Sequence, residues 1–277
     1  MTKPGFSVLM SIYKKESPGY FDLSLESLYV QRSDIGEVVL VKDGPLTEDL
    51  DDLIGKWHKR FDDKLKLVEL KANVGLSKAL NQGLKQCRFD WVARMDTDDV
   101  CKPERLALQA EFIEKNPNVD VLGSYAITID ETGAEKKLLK VPLGHNRIKK
   151  FVWSCPMIHP TVCFRKDKIL ALGGYNPEAG PRQDDYDLWF RCAAAGYVFA
   201  NIPKPLLLYR FTDDQIRKNT LKVGYYRLRV GFKGNRMLKA GPVAYLGVMV
   251  PFVRAMLPYP LNVWFYKLLS KVNPRNR

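Results

Sequence analysis

The segment ARMDTDDVCKPERL at 93–106 places Asp96, Asp98 and Asp99 within four positions. Carboxylates this close repel and raise one another's pKa values unless a cation lies among them. The turn is therefore either fully solvated or the seat of a positive ion. Hard divalent ions such as Mg²⁺ and Mn²⁺ take carboxylate oxygens of this kind together with substrate phosphates. A second dense site lies in PRQDDYDLWFRCAAAG at 181–196, where Asp184, Asp185 and Asp187 precede a run with Leu188, Cys192 and Ala195 on one helical face. Acidic residues in a first helical turn complement the helix dipole, so in the plainest reading Asp184 or Asp185 is an N-terminal cap. The other reading divides the labour: one cluster holds a metal and the other supplies a general base for a substrate hydroxyl.

Such residues need elements to position them. Phe6–Ile12 and the EVVLV run at Glu37–Val41 read as short buried strands, the second closed by the turn signature Lys42-Asp43-Gly44-Pro45. Helical spacing follows at 20–31 (Phe21, Leu25, Leu28) and over roughly 47–61. A strand at Lys66–Leu70, a helix at Leu76–Gln86 and a strand at Trp91–Met95 lead into the acidic turn, and Pro103 suits the first turn of the helix after it. Strands alternating with helices mean βαβ units and a mainly parallel sheet, in which ligands bind beyond the carboxyl ends of the strands. Three such ends carry polar chemistry: Ser11 and Tyr13, Asp43, and Asp96/Asp98/Asp99. An aromatic ring, a hydrogen-bond acceptor and an anionic cluster on one edge match the base, ribose and metal-bound diphosphate of a nucleotide.

The chain has 277 residues, 46% hydrophobic and 27% charged, which fits one large α/β domain with an appendage and excludes a disordered protein. Five scattered cysteines without CxxC spacing argue against a disulfide framework and a zinc ribbon, and fit a reducing cytoplasm. The N-terminus lacks the features of a signal peptide and reads directly as a first strand. Residues 1–203 balance 29 Lys/Arg against 29 Asp/Glu, whereas 204–277 carry 15 Lys/Arg against only Asp213 and Asp214, so the whole net charge of +13 belongs to the C-terminal quarter. A boundary is expected near residue 204. DTDDV also fits the DxDx[TV] pattern of aspartyl-phosphate phosphatases, but there the motif follows the first strand, and here at least three strands come earlier.

Taken together, FSVLMSIYKKE at 6–16, VLVKDGP at 39–45, NVGLSKALNQGL at 73–84, ARMDTDDVCKPERL at 93–106, HPTVCFRK at 159–166 and QDDYDLWFRCAAAGY at 183–197 resemble the family 2 glycosyltransferases, in family order and over about 200 residues. Their wording is most similar to bacterial enzymes that assemble O-antigen, capsule or exopolysaccharide. The resemblance implies a GT-A nucleotide-sugar-binding fold, with a nucleotide-sugar half at about 1–100 and an acceptor half at about 101–203. It implies that Ser11 and Tyr13 contact and stack on the base and that Asp43 bonds it. Asn73, Lys78, Asp96 and Asp98 would contact the donor, with Asp98 or Asp99 the ligand of Mn²⁺ or Mg²⁺. Asp185 would be the catalytic base of an inverting transfer, with Asp184, Trp189 and His159 on the acceptor side. Gly75 and Asn81 would shape the loop and helix near the donor. Lys42, Pro45 and Lys14 depart from residues frequent in the family, which bears on the nucleotide more than on the reaction. The implied donor is a UDP-hexose and the implied acceptor a polyprenyl-diphosphate-linked glycan.

The basic quarter has three readings. Residues 213–239 alternate cations with Ile216, Leu221, Tyr225 and Leu228; Ala240–Val253 is apolar but too short to cross a bilayer; Trp264, Phe265 and Tyr266 then lie among lysines. Cationic amphipathic helices of this kind bind anionic membrane surfaces, which would place the protein on the inner face of the cytoplasmic membrane. The same helices can pack on the catalytic domain, or the charge can serve nucleic acid, for which no recognition motif is present and no partner is expected. A binding or assembly subunit with a silent site is the non-enzymatic alternative.

Overall fold

The computed structural model describes residues 5–212, 220–258 and 261. Its core is a nine-stranded sheet in the order β3-β2-β1-β4-β8-β6-β9-β5, with β7 paired to β6. The strands are β1 (Phe6–Ile12), β2 (Ile35–Lys42), β3 (Leu65–Glu69), β4 (Trp91–Arg94), β5 (Val100–Cys101), β6 (Val121–Ile129), β7 (Glu135–Leu139), β8 (Cys163–Arg165) and β9 (Phe199–Arg210). Strands β3, β2, β1 and β4 are parallel, and so are β6 and β9; β8, β5 and β7 run antiparallel to their neighbours. Two antiparallel steps, β4 to β8 and β8 to β6, restore the original direction. The carboxyl ends of β1, β2, β4, β6 and β9 therefore meet on one edge.

Alternation along β1 sends Phe6, Val8, Met10 and Ile12 to one face and Leu9 to the other, and both faces are covered. On the first face lie α1 (Pro18–Tyr29), α2 (Glu48–Phe61) and α4 (Arg105–Lys115). Helix α1 is capped by Ser17, whose hydroxyl accepts from the Tyr20 N–H at 3.5 Å. Helix α2 buries Leu50, Ile54, Trp57 and Phe61 and carries acids in its first turn and bases in its last, the polarity its dipole favours. A Leu50→Ala truncation here would cost about 2–5 kcal/mol. On the second face, α3 (Leu76–Gln86) sits close to the sheet because Gly83 has no side chain; a Cβ there would stand 2.5 Å from Leu9 Cδ1. The short helices α5 (His145–Lys150) and α6 (Lys166–Ala171) and the longer α7 (Asp184–Ala194) complete that layer.

The expected elements through β4 are present within two or three residues at their ends. Pro103 is a correction: it lies in the turn before α4, which begins at Arg105 after Glu104. Residue 204 falls inside β9, so the change in charge balance does not coincide with a break in the sheet. Beyond it, α8 (Leu221–Met237) and α9 (Pro242–Ala255) form a helix pair, and α8 packs along α7. Glycines permit that approach: Gly234 faces the Phe190 ring, Gly231 faces Val248 and the Tyr186 hydroxyl, and Gly247 faces Trp153. The inner faces of α8 and α9 thus pack on the sheet domain, while Lys222, Arg229, Lys233, Arg236, Lys239 and one side of α9 stay exposed. No helix among the described residues is long and apolar enough to cross a membrane. Residues 213–219 and the aromatic cluster at Trp264, Phe265 and Tyr266 lie outside the described residues.

Candidate active site

Strand β4 delivers the first cluster. The Met95 N–H continues the strand's pairing to Leu9 O at 3.1 Å, and the Ser24 hydroxyl bonds Asp96 O at 3.0 Å. The turn then leaves through β5, which pairs with β9. Arg210, the last residue of β9, pins this turn from the far side of the sheet. Its N–H donates to Asp99 Oδ1 at 2.8 Å, its Nε to Asp98 O at 2.8 Å, and a terminal guanidinium N–H to Asp130 O at 2.7 Å. The guanidinium also stacks on Tyr20, 3.9 Å from the ring centroid. A second buried arginine, Arg94, pairs with Asp96.

One oxygen from each of Asp96, Asp98 and Asp99 lies within 4.8 Å of the others. Burial, and then Asp96 beside it, push the Asp98 carboxyl up to about 6. Asp99 is fully buried and is raised well above the carboxylate range by desolvation, then by Asp98 and Asp96. Its Oδ2 has no hydrogen-bond partner among the described residues. An orphaned, buried carboxylate oxygen among two others is the donor set a hard divalent cation takes, so these residues fit Mn²⁺ or Mg²⁺.

Ser11 and Tyr13 stand half-buried at the end of β1 on the same edge. The Tyr13 hydroxyl is raised by burial, then by Glu16 and Asp98. Asp43, just after β2, is buried and organises a neighbouring loop. Its Oδ1 accepts from the Val74 N–H at 2.7 Å, and its Oδ2 from the Gly75 N–H at 3.0 Å and the Asn73 amide at 3.1 Å. Asn73 therefore serves Asp43 in this structure, and Lys78 stands exposed one turn further on in α3. Gly44 is required at its place: φ is +87°, and a Cβ would meet Asn73 N at 2.5 Å.

The second cluster opens α7. Gln183 is the N-cap, so neither Asp184 nor Asp185 fills the capping position expected of them; both lie inside the first turn. The Ser77 hydroxyl, from α3, bonds Asp184 Oδ1. Asp185 Oδ1 accepts from the Tyr186 N–H at 2.7 Å, and its Oδ2 lies 3.5 Å from Cys155 Sγ. Burial raises both carboxyls; Ser77 partly offsets this for Asp184, whereas Asp184 adds to it for Asp185. Asp187 turns away to Arg191 Nε at 2.6 Å and Asn176 at 3.3 Å, a structural role.

His159 stands in a short 3₁₀ turn at 159–161, with Nε2 2.9 Å from the Tyr175 hydroxyl. Desolvation and then Arg94 hold it well below the usual histidine range, hence neutral. Its ring meets Trp189 edge-on at 6.0 Å, and Trp189 has no exposed surface. Asn81 clamps Tyr175 from α3 through two 2.7 Å bonds, to its N–H and its carbonyl, which agrees with a shaping role for that residue. The two clusters share one cation: Arg94 is paired with Asp96, and its charge also bears on Asp184, Tyr175 and His159.

The family model described as Glycosyl transferase family 2 matches residues 7–172, more than half of the chain. The chain belongs to glycosyltransferase family 2. Amylovoran biosynthesis glycosyltransferase AmsE of Erwinia amylovora is 40% identical over 82% of this chain and 86% of its own length. An Escherichia coli protein named UDP-Gal:alpha-D-GlcNAc-diphosphoundecaprenol beta-1,3-galactosyltransferase is 31% identical over 95% of this chain and 96% of its own. Among solved structures, the mannosyltransferase PcManGT of Pyrobaculum calidifontis, in complex with GDP-Man and Mn²⁺, superposes with a TM-score of 0.66 at 17% identity, covering 98% of this chain and 75% of that one. This likeness shows the GT-A fold.

For a family 2 glycosyltransferase, the edge that gathers Ser11, Tyr13, Asp43 and the three aspartates is where the sequence motifs converge. Four neighbours of these residues were not legible in those motifs. Arg94 stood inside WVARM, where a cation in an otherwise apolar strand was the available signal. Arg210 acts on Asp99 from 111 residues away, Cys155 reaches Asp185 from 30 away, and Ser77 reaches Asp184 from 107 away. No local pattern marks pairings of that length.

Proposed function

We propose that this protein transfers a hexose from a UDP-sugar, with inversion, to a hydroxyl of a polyprenyl-diphosphate-linked glycan during assembly of a bacterial surface polysaccharide. The observation that carries the reading is the acidic turn suited to a metal, in which Asp99 keeps an orphaned buried oxygen and Asp96 pairs with buried Arg94, whose charge also bears on Asp184 at the start of α7. One cluster for the donor and one for the acceptor is the arrangement a single displacement needs. The names of the Erwinia and E. coli relatives support the polysaccharide and lipid-diphosphate parts of the proposal.

In this reading Tyr13 stacks on the base, with Ser11, Asp43 and the loop it holds at Asn73 close by, and Asp96, Asp98 and Lys78 face the ribose and diphosphate. A divalent cation held by Asp98 and Asp99 would neutralise charge on the departing diphosphate. Asp185 removes the proton of the acceptor hydroxyl as that oxygen attacks the anomeric carbon. A carboxyl raised by burial is a stronger base than an exposed one, and Asp184 beside it adds to the effect. Neutral His159 and buried Trp189 form the wall behind the acceptor.

The C-terminal helices meet the membrane that carries the acceptor. Val243, Leu246, Met249, Val250, Val253 and Met256 make an exposed apolar stripe along α9, the first two 71% and 65% exposed. Exposed Lys222, Arg229, Lys233, Arg236 and Lys239 stand on and after the adjacent α8. That combination suits an anionic lipid surface on the cytoplasmic side.

Purified enzyme given a panel of nucleotide sugars and a synthetic polyprenyl-diphosphate glycan, with Mn²⁺ and with EDTA, tests the reaction. Turnover of one UDP-hexose with Mn²⁺, lost with EDTA, is expected. Nucleotide binding without turnover of any donor would leave a silent assembly subunit. Flotation on phosphatidylglycerol vesicles, weakened by Leu246→Glu with Val250→Glu, tests the membrane part.

A further inference from the structure

The proposed base is tied to the C-terminal helix pair through Tyr186. The Tyr186 N–H holds Asp185 Oδ1 at 2.7 Å, and its hydroxyl donates to Trp153 O at 2.6 Å. Two residues beyond Trp153, Cys155 adopts a left-handed conformation, φ +57°, which a non-glycine residue takes at a cost, and brings Sγ 3.5 Å from Asp185 Oδ2. Asp185, Tyr186 and the 153–155 turn thus form a closed ring of contacts around the carboxylate.

Helix α8 is keyed onto that ring. Arg227 lays its guanidinium over the Tyr186 face, 4.5 Å from the centroid. One turn later Gly231 stands at the Tyr186 hydroxyl, where a Cβ would come within 3.0 Å. Gly234 repeats the fit at Phe190, whose ring packs on that of Tyr186 at 5.0 Å. Three positions on one helix face therefore meet two aromatic rings on α7.

We propose that Arg227 is a positioning residue for Asp185: its guanidinium clamps the ring of Tyr186, whose N–H holds the proposed base, so that the basic C-terminal segment completes the catalytic centre. The inference rests on Asp185 being the base. The groups that face Asp185 are Asp184 and Tyr186 from α7, Cys155 from the turn, Tyr175, and Arg227 from α8. Of these, Asp184 and burial oppose ionisation, while the charge of Arg227 favours it. Asp185 must be ionised to accept a proton. Removing the Arg227 charge raises its pKa, and the acid limb of kcat moves to higher pH.

The test compares the pH dependence of kcat for the wild type, Arg227→Gln and Arg227→Lys, with UDP binding measured by calorimetry on each. Arg227→Gln is expected to move the acid limb up by about one pH unit, the low end of what a neighbouring cation does to a carboxylate. Arg227→Lys restores most of the shift, and UDP affinity stays within about twofold of wild type throughout. The position of the limb does not depend on how much folded enzyme is present, so partial destabilisation leaves the readout intact. An unmoved limb in Arg227→Gln, with Asp185→Asn inactive, overturns the role of Arg227 alone. Retained transfer in Asp185→Asn overturns the base assignment beneath it.

Discussion

The two acidic clusters have nearly the same composition and opposite surroundings. Asp96, Asp98 and Asp99 sit in a turn pinned by two buried arginines, yet Asp99 keeps an orphaned oxygen and Asp98 is pushed up to about 6. Asp184 and Asp185 sit at a helix start, where the Ser77 hydroxyl holds Asp184 Oδ1 and the Tyr186 N–H and Cys155 thiol engage the two oxygens of Asp185. The first cluster holds charge that its protein neighbours do not neutralise, and a cation can finish it. In the second, Asp185 is engaged through both oxygens as it stands, and what can change there is a proton. Charge density alone does not separate a metal site from a base. The partners around the carboxylates do.

Exchanging the roles breaks the comparison most sharply. Asp185→Asn is expected to lower transfer by about 10²–10⁴-fold with UDP and Mn²⁺ affinity retained. Asp98→Asn is expected to weaken Mn²⁺-dependent UDP binding itself, and calorimetry separates the two; matching losses of binding in both variants would merge the sites. Arg210→Met comes next. It leaves the backbone carbonyls of Asp98, Asp130 and Glu131 short of their donors, while the backbone N–H to Asp99 remains, an expected loss of about 3 kcal/mol, or roughly 6–12 °C in Tm. Added Mn²⁺ should recover part of that loss, because it binds only the folded turn.

The pH dependence sharpens the contrast further. Protons and metal compete for Asp98, so Mn²⁺ affinity should fall as pH drops through about 6, by about tenfold between pH 7 and pH 5. Titration with Mn²⁺ at fixed UDP checks this; a flat profile would remove Asp98 as a ligand. The smallest effect belongs to Ser77→Ala. Loss of its hydrogen bond to Asp184 is worth about 1 kcal/mol, or about fivefold in kcat, with Mn²⁺ binding unchanged.

Most of the frame was legible before the structure. Phe6–Ile12 and Trp91–Arg94 were readable because continuous apolar runs bounded by turns leave few alternatives. Leu76–Gln86 was readable because its apolar residues recur at helical spacing. Which residue caps α7 was not readable. A cap is set by where the chain enters the helix, and the chain enters at Gln183. Nor was the fate of the basic quarter. Its charge suggested a boundary at 204, but β9 runs on to Arg210 because its last residues pair with β5 and β6. The glycines at 231 and 234 meet Tyr186 and Phe190, contacts that helical spacing alone does not announce.

The sequence by itself determined the order of strands and helices, the residue types at the ligand edge and the family, because these follow from local periodicity and contiguous motifs. The tertiary structure alone decided which carboxylate keeps an orphaned oxygen among the described residues, which is tied to Ser77 or Cys155, and that Arg210 reaches the acidic turn. Those depend on contacts between residues 30 to 112 apart in the chain, and burial turns each contact into a shift of charge that no local pattern encodes.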